Sequence, residues 1–244
     1  MSIRFDDQVA IVTGAGGGLG KEHALGLARR GAKVVVNDLG GGVDGSGASD
    51  AAKAVVDQII SEGGEAIANG ASVTDLEAVQ AMVNEAKEKW GRIDILVNNA
   101  GILRDKSFHK DTIESFNTVM DVHFQGTLNC THTVYPIMRE QEFGRIIFTS
   151  SSSGVFGNFG QANYGSAKMA MVGLMNTLKL EGQKYNVFTN SITPVAYTRM
   201  TEGLIPEDFG KNMQPEHVTP AVLYLASKDA PNGVVMAAGA GVFA

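Results

Sequence analysis

The sequence predicts a single doubly wound α/β domain over residues 1–244, a parallel sheet of about seven strands with helices on both faces. Two observations carry that expectation. Short apolar, β-branched runs alternate along the chain with longer segments of helical period. The residues with chemistry to offer fall at the carboxyl ends of those runs, where open α/β sheets bind their ligands.

The elements follow in order. Gln8–Thr13 is a buried strand, short and rich in β-branched residues. It runs into Gly14-Ala-Gly-Gly-Gly18-Leu19-Gly20, then into a helical pattern from Lys21 to Arg30 that Gly31 closes as a helix stop. Lys33–Asp38 is the second strand, followed by a glycine-rich loop (Gly40 to Gly47) and a helix near 49–62. A strand at Glu65–Asn69, a helix near 75–89 and a strand at Arg92–Asn98 come next. One long helix is predicted from about Thr112 to Arg139. The fifth strand ends at Ser151, and the helix bearing Tyr164 runs to about Tyr185. Val187–Thr193, a helix at Glu216–Ser227 and a strand near Val234–Ala237 complete the pattern.

The glycine loop lies between a strand and a helix, the context that a dinucleotide-binding turn requires. Glycines let the backbone approach a pyrophosphate, and the helix start offers free N–H groups and a positive dipole end. The spacing Gly14-x-x-x-Gly18-x-Gly20 differs from the common G-x-G-x-x-G. Asp38, at the end of the second strand, is placed to bind a ribose 2′-OH and to repel a 2′-phosphate, which favours NAD over NADP. Further along, Tyr164 and Lys168 are four residues apart and share a helix face. An ammonium beside a phenol favours the phenolate, so Lys168 is expected to lower the Tyr164 pKa and make it a general base. Ser151, thirteen residues upstream of Tyr164, approaches from a strand tip.

These residues together resemble the short-chain dehydrogenase/reductase family, through Thr13-Gly14-x-x-x-Gly18-x-Gly20, Asn98-Asn-Ala-Gly101, Ser151 and Tyr164-x-x-x-Lys168. The resemblance spans nearly the whole chain and implies a Rossmann-type fold with NAD as cofactor. It implies Tyr164 as acid/base, Ser151 on the substrate oxygen, and Lys168 on the nicotinamide ribose. Asn99 is the implied cofactor contact of its motif, and Ala196 and Thr198 border the nicotinamide. Within the family, Asn37-Asp38-Leu-Gly-Gly, Asn99-Ala-Gly-Ile-Leu-Arg-Asp105, Asp121-Val-His123 and Gly157-Asn-Phe-Gly-Gln-Ala-Asn-Tyr164 are similar to the dehydrogenase unit of peroxisomal type 2 multifunctional enzymes. That unit acts on (R)-3-hydroxyacyl-CoA and on 17β-hydroxysteroids.

Three positions depart from the family pattern. His123 stands where an asparagine is usual; it is either a proton relay or a packed helix histidine. Val195 replaces the glycine after Pro194. Ser72 replaces an aspartate, leaving an adenine contact to Ser72 and the Val73 backbone.

The rest of the chain bounds the partners. A net charge of −6 offers no basic field for nucleic acid or an anionic membrane. Arg104, Lys106 and Arg199 are local candidates for an anionic thioester. Five scattered histidines give no metal-ligand spacing, and no metal is expected. Cys130 is the only cysteine, and neither an apolar leader nor a Ser-Lys-Leu tail appears, so a cytoplasmic enzyme is expected. The segment 195–215, with Met200, Leu204, Ile205, Phe209 and Met213, reads as an apolar lid or as a packed helix pair. Val119, Val122, Leu128, Met171, Leu174, Met175 and Leu178 either fill the core or face a second copy in a dimer or tetramer. The readings left open are an NAD-dependent alcohol dehydrogenase, an NAD(P)H-dependent reductase of 3-oxoacyl thioesters or small ketones, and a retired nucleotide-binding scaffold.

Overall fold

The computed structural model describes residues 3–42, 50–198, 201 and 207–244. Eight strands form one sheet in the order β3-β2-β1-β4-β5-β6-β7-β8. They are β1 (Val9–Thr13), β2 (Lys33–Asn37), β3 (Glu65–Asn69), β4 (Ile95–Asn98), β5 (Gly144–Thr149), β6 (Val187–Pro194), β7 (Val235–Gly239) and β8 (Val242–Phe243). Every pairing from β3 to β7 is parallel. The sequence predicts about seven strands; β8 is the addition, a two-residue antiparallel return on β7 too short to leave a periodic signal.

The helices are α1 (Gly18–Ala28), α2 (Ala51–Ser61), α3 (Leu76–Trp90), α4 (Ile113–Met120), α5 (Gly126–Glu140), α6 (Ser152–Phe156), α7 (Ala162–Gly182), α8 (Glu207–Gly210) and α9 (Thr219–Ala226). Alternation along the strands sorts the core into two layers. Ala10, Val12, Val34 and Val36 face the layer that α1, α2 and α9 cover. Val9, Ile11 and Val35 face the layer of α3, α5 and α7. Among the described residues no helix is long and apolar enough to cross a membrane.

Two features of this frame position the site. The predicted long helix is continuous but not uniform: between α4 and α5, Asp121–Gln125 form a π-helical stretch that carries His123. Single π turns of this kind swing side chains off the regular helical stripe and recur at functional sites. At the other end of the sheet, the buried Arg145 anchors the start of β5. Its guanidinium donates to the carbonyls of Ser227 (2.9 Å), Asn186 (2.8 Å) and Gly144 (2.8 Å) and lies 4.4 Å from the ring centres of both Phe143 and Phe188. Burial lowers its pKa to about 10.

Candidate active site

β1 and β4 are neighbours in the sheet while their preceding and following crossovers diverge, so a crevice opens above their carboxyl ends. It forms a cleft of about 270 Å³ lined by Gly14, Gly18, Leu19, Asp38, Ser72, Val73, Asn99 and Thr198, all of them predicted cofactor residues. Ile102 and Thr118, which were not singled out from the sequence, also line it, as do Arg104, read there as a thioester contact, and Val122, read as core or interface. Thr118 and Val122 are four apart on one helical face, a spacing that carries a signal only once the neighbouring strand is known.

The cleft fits a dinucleotide. α1 begins at Gly18, three residues earlier than predicted, with Gly17 as N-cap and no side chain capping it. Its first amides are therefore left for a ligand. Gly14 and Gly18 have φ of +62° and +52°, which a side chain would strain. A Cβ on Gly18 would stand over the cleft, with Thr198 Cγ2 the nearest atom at 3.7 Å. Asp38 Oδ2 accepts the Gly16 N–H at 2.7 Å and Oδ1 accepts the Gly40 N–H at 2.7 Å. Each carboxylate oxygen keeps a second lone pair for a ligand hydroxyl. Only part of the Gly40–Gly47 loop, Gly40 to Gly42, lies within the described residues.

Not every predicted cofactor residue reaches the cleft. Gly20 is buried against the Gly14 carbonyl and the Asn99 amide, where a Cβ has no room; its part is packing. Ala196 is in the core, and its carbonyl accepts the Thr201 hydroxyl at 2.9 Å. Asn99 spends its side-chain N–H groups on the carbonyls of Thr13 and Gly14, both at 3.0 Å, so it holds the glycine turn in shape as well as lining the cleft. Tyr164 and Lys168 stand beside the cleft rather than in its lining. Arg199, Met200, Leu204 and Ile205 lie outside the described residues, as does the Phe209 side chain. Of the remaining lid residues, Met213 accepts the Tyr197 N–H at 2.6 Å, tying the two ends of the segment together.

The candidate catalytic residues converge at the tip of β5. Ser151 is extended (φ −159°, ψ 152°) and caps α6, its Oγ accepting the Ser153 N–H at 3.1 Å. Its side chain is near enough to Tyr164 to pull the phenol pKa down. Lys168 is buried one turn further along α7, where its Nζ donates to the Thr149 carbonyl at 2.6 Å and lies 5.3 Å from the Tyr164 ring centre. Desolvation brings its pKa down to about 7. Here the structure corrects the sequence reading. The Tyr164 pKa is raised, because burial outweighs the downward pull of Ser151, and Asp105 adds a further upward push. Lys168 is itself desolvated, and one of its three N–H groups is spent on the Thr149 carbonyl.

His123 is buried and meets Tyr164 edge-on, with ring centres 5.2 Å apart at 87°. Its Nε2 is 2.8 Å from the Ile102 carbonyl and 3.0 Å from the Ile102 N–H, and Nδ1 is buried with no protein partner among the described residues. Burial, with Lys168 nearby, lowers its pKa to about 3, so the imidazole is neutral.

This fold and site define the class. The family description "short chain dehydrogenase" matches residues 8–208, and the chain belongs to that family. It is an oxidoreductase acting on CH–OH groups, and its cofactor is a nicotinamide dinucleotide. The chain is 50% identical over 241 residues to peroxisomal multifunctional enzyme type 2 of Drosophila melanogaster, spanning 98% of this chain and 40% of that enzyme. It is 47% identical to a short-chain type dehydrogenase/reductase of Mycobacterium tuberculosis, spanning 96% of this chain and 83% of the relative. Among solved structures, a 7α-hydroxysteroid dehydrogenase complexed with NADH and 7-oxo glycochenodeoxycholic acid superposes with a TM-score of 0.87 at 31% identity, covering 98% and 95% of the two chains.

The peroxisomal names, shared by relatives from mouse, Saccharomyces cerevisiae and Dictyostelium discoideum, overturn the cytoplasmic expectation. A lone cysteine shows only that no internal disulfide framework exists, which does not tell one interior compartment from another. The chain spans 54%, 25% and 32% of the lengths of the Dictyostelium, Saccharomyces and mouse relatives.

Proposed function

We propose that this chain is an NAD-dependent dehydrogenase of a secondary alcohol on an apolar substrate, of the (R)-3-hydroxyacyl thioester or 17β-hydroxysteroid type. The observation that carries the reading is the convergence of Ser151, Tyr164 and Lys168 at the tip of β5, beside a cleft that Asp38 lines. Gly14, Gly18 and Leu19 at the start of α1 would hold the pyrophosphate, Asp38 the adenosine ribose, and Lys168 the nicotinamide ribose. Bound there, the nicotinamide supplies a hydride acceptor. Ser151 orients the substrate hydroxyl, and the Tyr164 phenolate takes its proton. Ionising Tyr164 places a negative charge beside Lys168, and each charge lowers the cost of the other in this buried setting. Asp38 supports NAD over NADP because its carboxylate would repel a 2′-phosphate.

The apolar part of the substrate has a surface to meet. Phe156 and Phe159, in the segment joining Ser151 to Tyr164, are 87% and 91% exposed. Pairing of chains in a dimer or tetramer belongs to the same reading. Val119, Met171 and Met175 are core residues, so the contact would fall to the outward face of α7, where Met169 and Leu180 are exposed.

The test is NAD reduction with (R)- and (S)-3-hydroxyacyl-CoA and with 17β-estradiol, repeated with NADP and with Tyr164→Phe. Turnover of a 3-hydroxyacyl-CoA or of estradiol with NAD, lost in Tyr164→Phe while NAD still binds, is expected. Unchanged turnover in Tyr164→Phe removes the acid/base assignment, and a preference for NADP removes the reading of Asp38.

A further inference from the structure

The first turn of α7 is bound to the segment that follows β4 by more than packing. Asn163, only 1% exposed, uses its whole amide group. Its Oδ1 accepts the backbone N–H of Tyr164 at 2.6 Å, and its Nδ2 donates to the Arg104 carbonyl and to Asp111 Oδ2, each at 3.0 Å. Two neighbouring ties run the same way: Gln161 Nε2 donates to Asp105 Oδ2 at 2.7 Å, and the Lys106 N–H donates to the Gly160 carbonyl at 2.9 Å. The tied segment starts in the cofactor cleft, which Gly101, Ile102 and Arg104 line. Ile102 also holds His123, the ring that stands against Tyr164.

The first N–H groups of a helix have no acceptor inside it, and α7 has no side-chain cap at Gln161. Asn163 supplies the acceptor for one of them, that of Tyr164 itself. The opposite side of the tyrosine is fixed separately. Lys168 donates to Thr149, and Ser150 Oγ donates to the Lys168 carbonyl at 2.9 Å, so α7 is latched to β5 one turn later. Tyr164 is thus mounted between two anchors. One belongs to the sheet and the other to the wall of the cleft.

We propose that Asn163 is a positioning residue that couples the cleft wall at 101–111 to Tyr164, so that a dinucleotide seated against Ile102 and Arg104 also sets the phenol. The proposal rests on Tyr164 being the acid/base. Removing the amide releases the Arg104 carbonyl, the Asp111 carboxylate and the Tyr164 N–H together, yet leaves the glycine loop, Asp38 and the Lys168 latch in place. Cofactor affinity is then retained while turnover falls.

The test compares Asn163→Ala, Asp111→Ala and Asp111→Asn in the full chain. Asp111→Asn keeps an acceptor oxygen for Asn163 and gives up only a contact to the exposed Thr112 amide. Asn163→Ala and Asp111→Ala are expected to lose roughly tenfold or more in kcat with the KM for NAD nearly unchanged, because small misplacements of a reacting group cost that much. Asp111→Asn should restore kcat. Hydrogen exchange gives a readout independent of turnover. NAD should slow exchange in 104–111 and in 161–168 together in the wild type, and in 104–111 alone in Asn163→Ala. Full kcat per NAD-binding site in Asn163→Ala, Asp111→Asn falling as far as Asp111→Ala, or joint protection of both segments in Asn163→Ala would each overturn the proposal. A wild type that oxidises no alcohol ends the reading of function, and the exchange pattern still decides whether the two segments are coupled.

Discussion

Lys168 donates its Nζ to the carbonyl of Thr149 at 2.6 Å, so the only ammonium beside Tyr164 among the described residues is already engaged with the last residue of β5. The bond fixes the lysine in a site where water cannot help to carry its charge, and its pKa falls to about 7.

A stability signature follows from that burial. In the unfolded chain Lys168 holds its proton up to about pH 10.4; in the folded chain it releases it near 7. Between those values the unfolded state binds more protons, so this group makes the fold more stable as pH rises, by about 1.4 kcal/mol per pH unit per proton. Below pH 7 both states are protonated and the dependence vanishes. Lys168→Met lacks the effect: urea unfolding should show its stability advantage over the wild type narrowing from pH 7 to pH 9. A constant difference over that range contradicts the assignment.

Acid acts on the two buried histidines in the opposite range. His23, whose Nδ1 is 3.0 Å from Thr219 Oγ1, and His123 both have pKa values lowered to about 3 by burial. As pH falls from 6.5 toward 3, the unfolded chain takes up a proton at each that the folded chain refuses, and stability is lost. His23→Asn should therefore lose less stability than the wild type between pH 7 and pH 5, read by denaturant midpoints at each pH.

Asp105 pushes the Tyr164 pKa upward while Ser151 pulls it down. Asp105→Asn removes that charge and keeps an acceptor for Gln161. The acid limb of the kcat/KM profile should move to lower pH, and by less at high salt, since Asp105 is exposed and screened. Lys168, His123 and Ser151 face the same phenol and are untouched by the change. A shift to higher pH would reverse the sign argued here.

Asp38 has two tasks, accepting the Gly16 and Gly40 amides and facing the cleft. Asp38→Ser removes the charge that opposes a 2′-phosphate. The ratio of kcat/KM for NAD over NADP should fall by roughly tenfold to a hundredfold, the range for losing a charged hydrogen bond. An unchanged ratio would place the discrimination elsewhere.

The strands were legible because β1, β2, β4 and β5 are covered on both faces, and burial on both faces writes itself as an unbroken apolar run. Asp38 and Ser151 were legible for the related reason that they close such runs. The two-residue β8 and the five-residue α6 are too short to impose a period. The start of α1 was hidden because Gly18 and Gly20 read as loop, although the helix begins there to free its amides. Nothing in Asp121-Val-His-Phe-Gln125 announces a wider helical turn, since the pattern of apolar residues is nearly the same for both. The direction of the Tyr164 pKa was the instructive miss. Spacing placed the lysine correctly, but depth beneath the surface decides which charge is tolerated, and depth is a property of the assembled fold.

Arg145 lends the reacting end of β5 a distant foundation. The strand is six residues long, about 20 Å from guanidinium clamp to serine tip. Rigid rods transmit a displacement at one end to the other, so the hydroxyl of Ser151 inherits its steadiness from carbonyls on the far side of the molecule. Selection on the reaction would then reach residues such as Ser227 and Asn186, which never approach a substrate.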